Sequence, residues 1–156
     1  MIIGIMSDTH GDVERTAKAA TALHAKGAQT ILHCGDIGHE DVLIELANYF
    51  QPRGIPIFAI LGNVDIHNEA IVHFSESVGI NLCGRAADIQ LANKHLAIVH
   101  GDDTQRLKQT LESGNFDYIF TGHTHIAEDR QQRSTRIINP GAVYRAHSPT
   151  VAVLNL

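Results

Sequence analysis

The chain has 156 residues, 44% of them hydrophobic and 19% charged, the range in which one globular domain can close a core. Its formal charge is −5, from 12 Lys and Arg against 17 Asp and Glu, and it contains no basic run, which argues against a stable nucleic-acid-binding surface. No apolar run is long enough to cross a bilayer, and residues 1–6 are too short and lack the basic start of a secretory signal, so a cytoplasmic protein without membrane association is expected.

Residues 2–6 form an apolar run closed by Ser7-Asp8 and read as a strand. Residues 11–26 are alanine-rich, with apolar positions at helical spacing, and stop at Gly27. A second strand is expected over 30–34. A helix over 40–50 follows, with Val42, Leu43, Leu46 and Tyr49 on one face, and then a third strand over 55–61. This alternation predicts parallel strands joined by crossover helices. The second half changes character. Residues 86–92 and 95–99 alternate around Asn93-Lys94 as a hairpin would, and 118–121, 136–138 and 151–154 read as short strands, so more strand and less helix is expected there. No internal repeat or Pro/Gly/Ser-rich linker divides the sequence. The expectation is one domain over residues 1–156, of mixed α/β class, with two sheets packed face to face and helices outside.

Each apolar strand runs into a short loop rich in Asp, His, Asn and Gly. In order these are Asp8-Thr9-His10, Gly35-Asp36, Gly62-Asn63-Val64-Asp65, His100-Gly101-Asp102-Asp103 and Gly122-His123-Thr124-His125. Open α/β sheets bind ligands beyond the carboxyl ends of their strands, so loops distant in sequence are expected to meet at one edge. Among their side chains, two carboxylates, four imidazoles and one amide make a set of donors suited to Mn, Fe, Zn and related cations. One ion does not use seven donors. Two ions about 3.5–4 Å apart do, if one carboxylate bridges them, and such a pair suits in-line displacement at phosphorus. An extended backbone would put both members of Asp8/His10 and of His123/His125 on one side. Gly35, Gly62, Gly101 and Gly122 would let the loops crowd together. Taken singly these motifs are turns or helix caps, as Gly-Asn-x-Asp usually is. Their conjunction at successive strand ends carries the metal reading.

Cys34 and Cys83 form no CxxC spacing and read as reduced, partly buried thiols. The remaining members of the eleven histidines have no partner motif. His24, His33, His73, His95 and His147 are expected in ordinary core or surface roles, with His39 kept as a cleft candidate. Ser7 lacks a Gly-x-Ser-x-Gly elbow and a base, so a serine nucleophile is not expected.

The five motifs, with Ile138-Asn139-Pro140-Gly141-Ala142 as a closing motif, resemble those of the calcineurin-like metallophosphoesterases, specifically the small single-domain prokaryotic phosphodiesterase branch. The resemblance implies a four-layer α+β arrangement of two mixed sheets flanked by helices, with the metal site at the strand C-terminal ends. It implies that Asp8, His10 and His125 hold one metal, that Asn63, His100 and His123 hold the other, and that Asp36 bridges them. Water between the metals would be deprotonated and attack phosphorus in line, with Asn63 touching the phosphate, so that Asp36, Asn63 and His100 stand at the catalytic centre. The cofactors are then two divalent cations, Mn first, with Ni, Fe, Zn and Co open. The partner is a small phosphoester, a diester ahead of a monoester, and a homodimer or higher homo-oligomer is the default assembly.

Two positions depart from the family pattern. Val64 stands where many members have a His thought to protonate the leaving group, help worth about 10²–10⁴-fold. His67 is the nearest histidine, and it reads as a solvated residue at a helix start. Asp102 stands where related chains often have His. Two other functions share the resemblance: a non-catalytic interaction scaffold, as in a subunit of the eukaryotic retromer coat, and a phosphomonoesterase. A monoesterase needs further cations around the metals. Arg85, Arg106 and Arg145 are available, but spacing places none of them in the cleft.

Overall fold

A computed structural model describes residues 1–156. Its first half runs β1 (Ile2–Met6), α1 (Val13–Ala25), β2 (Thr30–His33), α2 (Glu40–Phe50), β3 (Ile57–Ala59), α3 (Glu69–Ser77) and β4 (Asn81–Leu82). The second half runs β5 (Ala86–Leu91), β6 (Lys94–Val99), α4 (Thr104–Ser113), β7 (Tyr118–Phe120), β8 (Glu128–Gln132), β9 (Thr135–Asn139) and β10 (Ala152–Asn155). One sheet has the order β10-β1-β2-β3-β4 and the other β5-β6-β7-β9-β8. Both are mixed. In the first, β1 to β4 are parallel and β10 is antiparallel to β1. In the second, β7 is parallel to β6 and β9, and the hairpin partners β5 and β8 are antiparallel.

The strand alternation sorts side chains into layers. Met6, Ile31, Ile57 and Ala59 face α1, α2 and α3, where Leu23, Leu43, Leu46 and Phe50 are fully buried. Ile3, Ile5, Leu32 and Ile60 point the other way and meet Leu96, Ile98, Phe120 and Ile138 of the second sheet. Ala97, Val99, Ile119 and Ile137 turn outward under Leu107 and Leu111 of α4. The result is helices, sheet, sheet, helix. Each fully buried Leu, Ile or Phe contributes about 1.5–3 kcal/mol by leaving water, so the sheet-to-sheet layer fixes the two strand edges relative to each other. The helix α1 seats directly on β1 because position 4 has no side chain: a Cβ on Gly4 would lie 3.0 Å from Ile31 Cδ1 and 3.1 Å from Leu23 Cδ1.

Helix α2 matches the span expected from its apolar face, and α1 starts two residues later than expected because Asp12 caps it, accepting the Arg15 N–H at 2.8 Å. The third strand is shorter than residues 55–61, and α4, β4 and β8 were not expected. Helix α4 has only Leu107 and Leu111 to pack and no fully buried residue. Strand β8 is an almost wholly exposed edge strand and α4 is amphipathic but polar on average, so neither stood out as an apolar run.

Candidate metal centre

The parallel strands β1, β2 and β3 of one sheet and β6 and β7 of the other end side by side, and the loops that follow them converge. His125 Nε2 lies 3.2 Å from Asp8 Oδ1 and 3.3 Å from His10 Nε2. His10 Nε2 is 3.6 Å from Asp36 Oδ2, and His100 Nε2 is 3.3 Å from the other oxygen, Asp36 Oδ1. Two overlapping groups result, Asp8-His10-His125 and Asp8-Asp36-His100, each with ligand atoms within 4.8 Å of one another.

The polar atoms in these groups are aimed before any ion is considered. The His100 Nδ1–H donates to the Cys34 carbonyl at 2.8 Å, which leaves the Nε2 lone pair facing Asp36, the orientation metal-ligating imidazoles take. His100 Nε2 and Asp8 Oδ1 are both buried without a hydrogen-bond partner, although Asp36 Oδ1 and His125 Nε2 approach them at 3.3 Å and 3.2 Å. Leaving such atoms unpaired costs about 1–3 kcal/mol each. Burial disfavours the charged form of His100, but the Asp36 carboxylate beside it more than offsets this and raises its pKa. Burial likewise pushes Asp36 up, and His100 with the Val64 N–H, 3.1 Å from Oδ1, brings it below the ordinary carboxylate value. For His10 burial prevails over Asp36 and Asp8 and the pKa falls. These directions favour a proton on His100 and an ionised Asp36, and disfavour a proton on His10.

The expectation of an extended backbone at the paired motifs is overturned. Asp8 (φ 56°), His10 (46°), Asp36 (54°), His123 (66°) and His125 (59°) all lie in the left-handed region, which costs a non-glycine residue roughly 1–2 kcal/mol. That conformation lets the Asp8 N–H reach the Gly35 carbonyl and the His10 N–H the Asp36 carbonyl, both at 3.0 Å. Adjacent loops are thus stitched together while their side chains turn inward.

The loops are held by residues to which the sequence assigned no ligand role. Asp65, 1% exposed, accepts the N–H groups of Gly62 (2.8 Å), Ile37 (3.0 Å) and Gly38 (2.8 Å), so it clamps the loop after β3 onto the loop that carries Asp36. His33 Nδ1 accepts the Gly35 N–H (3.3 Å), leaving Nε2–H to Thr9 Oγ1 (3.0 Å), whose hydroxyl donates to the Ile37 carbonyl (3.1 Å). Asn139 donates to the Gly122 carbonyl (2.8 Å) and Thr124 Oγ1 (3.1 Å), holding the Gly-His-Thr-His loop. The approach is close enough that a Cβ on Gly62 would overlap Asp36 Oδ1, and one on Gly122 would overlap Ser7 Oγ.

Of the seven expected ligands, five have ligand atoms in the two groups. His123 stands beside them, its ring 5.2 Å from that of His100 and its N–H on Asp8 Oδ2 at 3.1 Å. Asn63 is exposed in the turn that Asp65 closes. His39 caps α2, accepting the Asp41 N–H at 3.3 Å, and His67 is exposed ahead of α3. Arg85 is paired with Asp102 at 2.6 Å, and Arg106 lies 3.5 Å from Asp103. Arg145, which spacing had not placed, lies beside Tyr144, whose ring is 6.0 Å from that of His10. No helix is long and apolar enough to cross a membrane.

The family model of the calcineurin-like phosphoesterase superfamily domain matches residues 1–156. A phosphodiesterase of Methanocaldococcus jannaschii is 27% identical, with 99% of this chain and 93% of the relative covered. A protein of Methanothermobacter thermautotrophicus named "probable metallophosphoesterase" is 30% identical, over 100% of this chain and 86% of its own. Among solved structures, that of an archaeal phosphodiesterase superposes with a TM-score of 0.87 at 27% identity, covering 99% of this chain and 93% of the other.

Proposed function

The chain belongs to the calcineurin-like phosphoesterase superfamily, and from that premise we propose that it hydrolyses phosphodiesters with two divalent cations held by the clustered loops. The observation that carries this reading is the pair of buried, unpartnered atoms, Asp8 Oδ1 and His100 Nε2, facing one cluster of carboxylate oxygens and imidazole nitrogens. Such a set is costly without a cation and fits one well. The name of the relative from Methanocaldococcus jannaschii supports the diester.

Asp8, His10 and His125 would hold one ion, and His100, His123 and Asn63 the other. Asp36 suits the shared position because its two oxygens face different partners, His10 on one side and His100 on the other. When bound, the cations would supply positive charge to the phosphoryl oxygens and make water a nucleophile at neutral pH, with Mn the first candidate and Ni, Fe, Zn and Co after it. The Cys34 carbonyl keeps the His100 tautomer with Nε2 free, and exposed Asn63 presents its amide to the phosphate. Val64, 46% exposed at the same loop, has no proton to give, so leaving-group protonation falls to solvent and good leaving groups are favoured.

The test is hydrolysis of bis(p-nitrophenyl) phosphate and p-nitrophenyl phosphate by chelator-stripped protein, with Mn, Ni, Zn and Mg restored separately, beside Asp36→Ala. Metal-restored diester hydrolysis that the variant lacks is the expected result. Two bound cations with no ester turned over would favour the interaction scaffold instead.

A further inference from the structure

Tyr144 and Arg145 stand at the edge of the cluster because their segment is zipped onto its first loop. The Val143 N–H donates to the Ser7 carbonyl at 3.1 Å and the Tyr144 N–H to the Asp8 carbonyl at 3.0 Å. Two guanidinium groups flank the Tyr144 ring, Arg15 at 5.4 Å and Arg145 at 5.3 Å from its centroid, and the ring itself is 6.0 Å from that of His10.

Of the two, Arg145 is the cation that stands beside the cluster with no carboxylate paired to it. Arg85, Arg106, Arg130 and Arg136 each have a carboxylate partner. Arg145 is exposed and left-handed at φ 56°, and its only recorded contact is the tyrosine face. Arg15 keeps an exposed pair with Asp12 at 3.5 Å, as Arg106 does with Asp103. A chain of net charge −5 repels anions at long range, and an unpaired cation held against the cluster gives it a local point of attraction. Both arginines gather on the Tyr144 ring rather than among the clustered ligand atoms, so they suit a group other than the phosphate under attack. Arg15 also lines a cleft of about 320 Å³ between α1 and the C-terminal segment, with Lys18, Val143 and Val151, which leaves room for a group extending that way.

We infer that Arg145, with Arg15 and Tyr144, is a specificity element that binds a second phosphate carried by the substrate beyond the scissile diester. This rests on the phosphodiesterase reading above. Guanidinium pairs with phosphate by charge-assisted, often bidentate hydrogen bonds. The aromatic face orients Arg145 and reduces the freedom it loses on binding. Substrates of this class are nucleotide-like diesters with a further terminal phosphate, or short chains of diesters.

The experiment compares thymidine 5′-(p-nitrophenyl phosphate) with the same ester bearing a 3′-phosphate, so that scissile bond and leaving group are shared. With the Mn-loaded wild type, kcat/KM is expected to favour the 3′-phosphorylated ester by about tenfold. In Arg145→Gln the ratio between the two esters falls toward one, and Arg145→Lys retains part of it. A merely structural role would alter both esters together and leave their ratio unmoved. The absence of a preference in the wild type, or an unchanged ratio in Arg145→Gln, overturns the inference. If neither ester is turned over, the hydrolase reading fails, and calorimetry of thymidine 3′,5′-bisphosphate against thymidine 5′-phosphate decides Arg145 separately. Tighter bisphosphate binding that Arg145→Gln loses supports it, and equal binding overturns it.

Discussion

From the first sheet come Asp8, His10, Asp36 and Asn63, and from the second His100, His123 and His125. Both carboxylates belong to the first, where Asp8 and Asp36 are buried and the loops are tied by Asp65 and by the His33–Thr9 link. The second sheet contributes only imidazoles. Apart from His100 these are on more open loops, with His123 exposed and His125 half-buried. Both carboxylates therefore sit where the loops are tied down, and His123 and His125 sit where side chains can adjust. A cation would be gripped from one sheet and closed over from the other, so the two halves should respond differently to perturbation.

The largest expected effect is the loss of turnover in Asp36→Ala, about 10³-fold or more with saturating metal. Retention of turnover would mean that the first sheet does not supply the essential charge. Next, Asp65→Ala leaves three N–H groups at Gly62, Ile37 and Gly38 without their carboxylate and should cost about 4 kcal/mol in urea unfolding of metal-free protein. His125→Ala should cost under about 1 kcal/mol while weakening metal retention. Equal costs for the two would break the contrast between rigid and adjustable halves. A somewhat smaller effect comes from His33. Burial outweighs the opposing pull of Asp65 and lowers its pKa to about 4 from an ordinary 6.5. The unfolded chain then takes up the proton first, so stability is complete above pH 6.5 and falls as the pH drops toward about 4, by about 3 kcal/mol. His33→Gln should flatten that part of the profile, and an unchanged slope would remove His33 as the cause. Smallest is Val64→His, expected to raise turnover of poor leaving groups by about tenfold over good ones. A uniform change across leaving groups would show that proton donation at this loop is not limiting.

Much of this was legible in the sequence because the signals are local. Apolar runs ending in Asp-x-His, Gly-Asp or Gly-His-x-His mark strand ends wherever the strands pair, and α2 shows its face at Val42, Leu43 and Leu46. What escaped was set by tertiary context. Strand β8 is polar throughout and exists by pairing with β9, so no alternation announced it. Asp103 read as one more acid in a polar loop, whereas it caps α4 by accepting the Arg106 N–H at 2.9 Å. The spacing of Asp8 and His10 suggested extended backbone, since nothing in two residues reveals that the carbonyls of Gly35 and Asp36 will draw both into the left-handed region. Asp65 read as a turn residue, which it is toward Gly62. Its hold on Ile37 and Gly38 depends on a loop 28 residues away.

That left-handed geometry bears on how such a chain changes under drift. His10, His123 and His125 carry side chains at backbone angles that glycine adopts freely, so each is a small standing debt against stability. Were selection for the reaction to lapse, replacement of these histidines by glycine would relieve about 1 kcal/mol apiece, and the layered core would be untouched. Loss of the chemistry would then leave an intact, slightly sturdier body with a convergent loop surface, open to recruitment for other ends.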